Sequence, residues 1–501
     1  MEERGNGQQL ETGGRRRRNI LIFSDGTGQA GGVYFDERRS NIYKLYRATR
    51  VCPDSRIDPA EQVAYYDAGL GSRPPGGGTF ATIYRVAQNL FSQATGFGIS
   101  TNIVDCYEMI IRLWRPGDRI FLFGFSRGAY TVRCLGGVLA LCGIPTRIGP
   151  CRQMKYDSTS ARTMAYEAVR KVYQHTASRP LSTATPRERE LLEQRQELAR
   201  QFRERHAAGH ADKSHYPYFI GVFDTVASVA SPAAMAVLLL AGAILAVALG
   251  SAVSWLADMN WWSSAGWAAL GLSGLALAFY LREAVRFAPS ADRRRWWRTF
   301  TASFRRLRFE DRTLNDNVRY ARHAISIDEN RKSFGRVEWG DPDSSRPPTD
   351  ERGVETFQQY WFAGNHSDIG GSYPENEARL SDISLKWMLD AATMIRDGIQ
   401  VDASVLHLHP SAGGMQHDER KGGFPILTRW LKITWKRRLR DVPPDATLHE
   451  SVRERMSLPA VLQYDLEAAY RPKNLRRHRQ LASLYGTFGS GAPAGEVSAA
   501  K

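Results

Sequence analysis

Three residues of this 501-residue chain, Ser126, Asp224 and His366, have the types and the order needed for nucleophilic acyl transfer. A serine hydroxyl is a weak nucleophile at neutral pH. It needs a base within hydrogen-bond reach, and a histidine base needs a carboxylate to fix its tautomer and stabilise the imidazolium. Ser126 stands in Gly124-Phe125-Ser126-Arg127-Gly128, between the apolar run Ile120 to Phe123 and a helical pattern resuming at Ala129. The segment reads as strand, sharp turn, helix. A serine at the apex of such a turn is held clear of the sheet, and the flanking glycines let strand and helix approach closely. Chance alone supplies roughly 0.3 such patterns in a chain of this composition, so the flanking elements and downstream partners carry the reading.

Asp224 ends the buried-strand pattern Tyr218 to Phe223, and His366 follows the strand pattern in TFQQYWFAGNHSDIGGSY. In this arrangement His366 is the base and Asp224 its orienter. The backbone N–H of Arg127 and a donor among Gly26 and Thr27, in the loop SDGTG, form the oxyanion hole. Three further residues compete for roles. His323 lies within a strand pattern and is an alternative base, although strand histidines are commonly hydrogen-bonded core residues. Asp368 is an alternative support for His366, two positions away on the same loop. Asp25 fits turn-capping, a polar role beside the oxyanion, or metal binding, with turn-capping the default. No metal and no cofactor are expected.

The elements that must position these groups alternate strand and helix. Asn19 to Phe23 is a buried strand, Asn41 to Arg50 a helix, Gln62 to Tyr66 a strand, and about Ile83 to Leu113 a long helix before the serine turn. That alternation predicts a mostly parallel sheet with helices on both faces. From Ser158 to His210 the pattern is helical and charged, a solvated addition or, alternatively, a mobile cap. Arg322 to Ile327 reads as a strand, the Pro-rich stretch 333–355 as a loop, and LSDISLKWMLDAA from Leu380 and Ser381 as a capped helix. Basic patches such as WKRRLR beyond Val401 read as surface or accessory structure.

Composition narrows the partners. The formal charge of +16 is concentrated in Arg15 to Arg18 and Arg282 to Arg312, which suits an anionic surface, and no zinc spacing, aromatic-basic RNA motif or helix-turn-helix signature supports nucleic-acid binding. Five unpatterned cysteines favour a reducing compartment. The apolar stretch Ile20 to Phe23 is too short for a signal-peptide core. Ala233 to Ala257 and Trp261 to Leu281 carry no charge. The pair, 233–281, reads as a transmembrane helical hairpin with small-residue faces at Gly242, Ala246 and Gly250 and at Ala265, Ala269 and Ser273. Arginines beyond the second helix then place the catalytic domain and both termini in the cytoplasm, as a two-span protein of the inner membrane.

The expected organisation is a disordered basic terminus (1–18), the first part of a catalytic domain (19–230), the hairpin (231–281), a basic juxtamembrane segment (282–312), the second part of that domain (313–400), an accessory region (401–485) and a disordered tail (486–501). The order serine, acid, histidine is that of α/β-hydrolases. Together SDGTG, YYDAGLG, GFSRGAY, GVFDTVAS, HAISIDE, HSDIGGSY and LSDISLKWM resemble a bacterial and fungal α/β-hydrolase family that shares its catalytic domain with type VI secretion phospholipase effectors. The resemblance runs from about Asn19 to Ala392, interrupted by the hairpin. It implies an α/β-hydrolase-like fold and a Ser-Asp-His esterase of the phospholipase A type acting on a lipid or acyl ester. A membrane-bound non-catalytic module and a secreted toxin are the alternatives.

Overall fold

Residues alternating between two apolar faces, with no polar face, define the centre of the molecule. In the computed structural model, which describes residues 16–26, 38–69, 98–148, 152–153, 157–176, 184–226, 232–257, 260–287, 300–302, 314–340, 346–422 and 436–486, these residues form a six-stranded sheet. Its strands are β1 (Asn19–Ser24), β2 (Gln62–Asp67), β3 (Arg119–Phe125), β4 (Pro217–Phe223), β5 (Tyr320–Ser326) and β6 (Phe357–Phe362), in the order β6-β5-β4-β3-β1-β2. Every pairing in it is parallel. Ile20, Ile22, Ile120, Leu122, Ile220 and Val222 face one core, while Leu21, Phe23, Phe121, Phe123, Phe219 and Phe223 face another. A parallel sheet covered on both sides leaves no polar face, so its strands read as continuous apolar runs.

The first core is closed by α2 (Gly98–Leu113), α3 (Arg127–Cys142), α4 (Ser158–Tyr166) and α5 (Pro186–His206). The second is closed by α1 (Asn41–Thr49) and α9 (Arg379–Met394), over a run of rings in which Phe23 stacks on Phe123 with centroids 5.0 Å apart. The chain leaves β1 toward β2, then returns across β1 to β3 and continues outward. This reversal opens a crevice between the carboxyl ends of β1 and β3, where open α/β sheets bind ligands. The loop at Asp25 and Gly26 and the turn at Ser126 flank it.

The expected strands and helices are present where described; of the helix expected from 83, the part before Gly98 lies outside the described residues. Helix α9 begins at Arg379 with no side-chain cap, since its N-cap residue is Ala378; Ser381 lies inside the helix, its hydroxyl donating to the Ala378 carbonyl. The charged helix α5 is not a cap over the serine. Leu198 and Phe202 are built into the first core, and its last turn is tied to the far end of α3 through Arg203 and the Leu141 carbonyl. Leu141 lies about 21 Å along α3 from the Arg127 end at 1.5 Å per residue.

Helices α6 (Pro232–Ala257) and α7 (Trp261–Ala284) form an antiparallel pair. A Cβ at Gly250 would fall 2.5 Å from the Ala265 Cα, and Trp261 Nε1 donates to Ser251 Oγ at 3.0 Å across the pair. The small-residue contact is local, for a Cβ at Gly242 would meet nothing within 4 Å. The transmembrane reading of 233–281 is corrected. Among the described residues no helix is long and apolar enough to cross a membrane, so the two-span inner-membrane placement, with a cytoplasmic catalytic domain and termini, is not supported. Lack of charge is a weaker property than sustained hydrophobicity, and Gly and Ser recur in both helices among the Leu and Ala. The basic segment that follows is described only in part, at Val285–Phe287 and Phe300–Ala302, which pair antiparallel. Strands β4 and β5 on either side of the hairpin are direct neighbours in one sheet, Phe219 beside Tyr320.

Residues beyond α9 do not stand apart from the sheet. Val442, Val452, Met456, Tyr470, Leu475 and Leu481 share a third core with Ile325, Ile327 and Trp361 of the β5–β6 edge.

Candidate active site

Ser126 is the residue where strand geometry ends and helix α3 begins, at φ 58° and ψ −118°. Positive φ is costly for a residue with a Cβ and persists only where the surroundings enforce it. Here the Ser126 N–H donates to the Phe223 carbonyl at 3.1 Å, and the Ser126 carbonyl accepts from the Val226 N–H at 3.4 Å. Both flanking glycines are sterically required. A Cβ at Gly124 would lie 2.5 Å from the Gly128 carbonyl oxygen, and one at Gly128 would lie 2.0 Å from that of Ser24. Those obstacles are backbone, so no side-chain rearrangement can relieve them.

Asp224 follows β4, also at positive φ (39°), with its N–H donating to the Ala324 carbonyl at 2.7 Å. It is fully buried, and four donors converge on it. His366 Nδ1 reaches Oδ2 at 2.5 Å, two Arg440 nitrogens reach Oδ1 and Oδ2 at 2.5 and 2.8 Å, and the Ser326 N–H reaches Oδ1 at 3.0 Å. Burial raises the pKa of a carboxyl group, but the Arg440 charge and the His366 hydrogen bond outweigh it and hold Asp224 well below the usual carboxylate range.

His366 opens the short helix α8 (His366–Gly370), behind the N-cap Asn365 and the Asp368 that completes a capping box. Its ring stacks on Phe125 with centroids 4.6 Å apart and meets Phe334 edge-on at 5.2 Å. Phe125 immediately precedes Ser126, and Phe223, which accepts the Ser126 N–H, immediately precedes Asp224. The fold thus gathers Ser126, Asp224 and His366 from the ends of β3, β4 and β6. With Nδ1 held by Asp224, Nε2 is the ring nitrogen available to another partner.

The remaining expected residues separate clearly. Gly26 lies against the turn, since a Cβ there would be 3.0 Å from the Phe125 ring and 3.4 Å from the Ser126 Cβ; its N–H, however, donates to Asp25 Oδ1 at 2.7 Å. Thr27 lies outside the described residues. Arg127 opens α3, where a helix leaves its first N–H groups without intrahelical partners, and burial pushes its guanidinium pKa down to about 10. Asp25 holds the loop: besides Gly26 it accepts from Tyr66 at 2.7 Å and from Ser40, which caps α1. His323 is a core residue bonded to Gln359 and Thr225, and burial pushes its pKa down to about 3. Asp368 does not reach the His366 ring; it binds His417 Nδ1 at 2.7 Å and the Asn365 N–H at 2.9 Å.

Two contributors escaped the sequence reading. Glu329, buried and clamped by Arg331 at 2.8 Å, accepts the His366 N–H at 3.3 Å; it ends the motif HAISIDE, where only His323 is weighed for a role. Arg440 is the last residue of WKRRLR, where nothing local separates a buried arginine from its solvent-facing neighbours.

These features define a parallel α/β protein with a strained serine turn at the switch point of its sheet and a histidine–carboxylate pair beside it. The chain belongs to the family described as "T6SS, Phospholipase effector Tle1-like, catalytic domain", which matches residues 18–391. It is 33% identical over 132 residues to the uncharacterized protein YEL023C of Saccharomyces cerevisiae, covering 25% of this chain and 18% of that one. Among solved structures it is similar to an uncharacterized protein from Pseudomonas aeruginosa at 16% identity and TM-score 0.30, covering 77% of this chain and 46% of the other. It is also similar to the Tle1 effector bound to the VgrG spike of the type 6 secretion system, at 16% identity and TM-score 0.26, covering 72% and 53%. The chain therefore spans about half the length of these solved relatives and a fifth or less of the yeast protein.

Proposed function

We propose that this chain is a serine ester hydrolase with an α/β-hydrolase fold, cleaving acyl esters of phospholipid through Ser126, Asp224 and His366. The observation that carries the reading is the 2.5 Å contact between His366 Nδ1 and a buried, ionised Asp224, beside a serine at φ 58°. In this mechanism His366 Nε2 takes the Ser126 proton as Oγ attacks the ester carbonyl carbon. The resulting oxyanion is met by the Arg127 N–H, and the second donor is assigned to the loop after β1, where the Gly26 N–H is already bonded to Asp25. His366 then gives that proton to the departing alcohol oxygen as the ester C–O bond breaks, and water, activated the same way, releases the fatty acid from Ser126. Asp224 keeps Nδ1 protonated and stabilises the imidazolium without taking the proton itself. The family description supports phospholipid as the substrate class.

A fluorophosphonate probe tests the chemistry: the wild type is labelled and Ser126→Ala is not, and release of fatty acid from phospholipid vesicles is lost with it. A folded wild type that resists labelling would instead indicate a non-catalytic interaction module. The family description also favours a second reading for the biological role, a toxin effector of type VI secretion. That reading predicts killing of neighbouring cells in a competition assay, abolished by Ser126→Ala and prevented by a co-encoded immunity protein.

A further inference from the structure

We propose that Arg440, from the region beyond the family match, is a positioning residue of the active site, setting the geometry of Asp224 and through it of His366. The inference rests on the serine-hydrolase reading above. The match to the catalytic-domain family ends at residue 391, yet two of the four donors on the buried Asp224 come from Arg440, at 2.5 and 2.8 Å. Two parallel guanidinium bonds fix both the position and the plane of a carboxylate, whereas a single donor leaves it free to turn. The plane matters because Oδ2 also receives His366 Nδ1.

Arg440 is itself held firmly. Its nitrogens also reach the carbonyls of Ser326 and Phe334, at 3.5 and 3.2 Å. Its own carbonyl accepts from Asn474 Nδ2, which also bonds the Ile327 carbonyl at 2.8 Å. The preceding residues run beside the loop after β5, with the Arg438 N–H on the Asn330 carbonyl and the Lys332 N–H on the Lys436 carbonyl, both at 2.9 Å. The C-terminal segment is thus stitched to the same loop that carries Glu329, the acceptor of the His366 N–H. Phe334, whose carbonyl Arg440 binds, also packs its ring against His366.

The charges facing Asp224 are His366 from α8, Arg440 from the C-terminal segment, Arg336 from the loop after β5, and His323 from β5, which is pushed toward its neutral form by burial. Arg440 and His366 both contact the carboxylate directly, and Arg440 is the permanent cation of the two. Removing its charge leaves burial as the dominant influence on Asp224, and burial favours the protonated form. A protonated Asp224 cannot accept from His366 Nδ1 on the same oxygen. The acid limb of activity should therefore move to higher pH.

The test measures kcat/KM for p-nitrophenyl butyrate across the pH range, on the full chain, for Arg440→Met, Arg440→Lys, Asp224→Asn and the double variant Asp224→Asn/Arg440→Met. Arg440→Met is expected to lower neutral-pH activity on the order of 10²-fold and to shift the acid limb up by about one pH unit or more. Arg440→Lys keeps the charge but not the paired geometry, so its limb stays in place while its rate falls. In the Asp224→Asn background, Arg440→Met should add little further loss, because Arg440 acts only through Asp224. The double variant removes both buried charges together and serves as the folded comparison if Arg440→Met is unstable. An unmoved acid limb in folded Arg440→Met, an undiminished rate in Arg440→Lys, or additive losses in the cycle would each overturn the role of Arg440. Fluorophosphonate labelling of the wild type separates this from the underlying reading: if labelling fails, the hydrolase reading falls and the inference with it; if labelling succeeds, only the Arg440 results decide.

Discussion

Asp224→Asn changes one atom type at a site where four donors meet, and its consequences can be worked through from the contacts. The carboxylate offers two oxygens to Arg440, His366 and the Ser326 N–H. An asparagine keeps one acceptor oxygen and substitutes a donor for the other. If the oxygen faces Arg440, the amide N–H₂ faces His366 Nδ1, which must then become the acceptor and leave the proton on Nε2. That tautomer cannot take the Ser126 proton, and the comparable loss in serine hydrolases is about 10⁴-fold in kcat. Stability should fall as well. Arg440 is 8% exposed and would keep its charge with no anion in contact. Breaking one side of a buried ion pair typically costs about 3 to 5 kcal/mol, a factor of roughly 10² to 10⁴ in the folding equilibrium. Urea unfolding and p-nitrophenyl ester hydrolysis on the same preparations measure both effects. An unfolding midpoint equal to the wild type, together with kcat/KM within about threefold of it, would refute the reasoning, because neither the ion pair nor the tautomer would then depend on the carboxylate.

Other consequences follow from single contacts. Gly128→Ala places a Cβ 2.0 Å from the Ser24 carbonyl, so β1 and α3 must separate; a loss of about 3 kcal/mol and of fluorophosphonate labelling is expected, and an unchanged melting temperature would contradict it. Asp67 is buried beneath Ser24 and Asn102, and burial raises its pKa to about 7. Between the unfolded value of 3.8 and that figure the folded state holds more protons than the unfolded one, so stability is greatest at acid pH and falls as pH rises. The fall attributable to this group is on the order of 4 kcal/mol across that window, read as the difference in pH dependence between wild type and Asp67→Asn. In the hairpin, Gly250→Leu should splay the two helices, whose backbones meet at Ala265, while Gly242→Leu, with open space around it, should be tolerated; limited proteolysis of the two variants distinguishes them.

What the amino-acid sequence determined by itself is local. The strands from Asn19, Arg119 and Pro217 are legible because central strands buried on both faces leave nearly uninterrupted apolar runs, those from Gln62, Tyr320 and Phe357 because aromatic and β-branched residues recur among their polar ones, and the residues at the strand ends because turn glycines and polar residues mark them. Ser126, Asp224 and His366 could be named for the same reason, each following such a run. Tertiary structure decided everything that depends on distance through space. It put Asp368 on His417, although Asp368 stands two positions from His366, whereas Asp25 holds its own loop, in line with its default reading as a turn cap. It turned the charged helix α5 into a wall of the first core, because Leu198 and Phe202 share one side of a surface otherwise dominated by arginine and glutamate. The hairpin shows the limit of counting charges, since among the described residues no helix is long and apolar enough to cross a membrane. Above all, tertiary structure brought Arg440 to Asp224 across more than two hundred residues. A sequence pattern reports which side chains lie along one element; the partner that neutralises a buried carboxylate is chosen by where distant segments cross, and no local periodicity records that crossing.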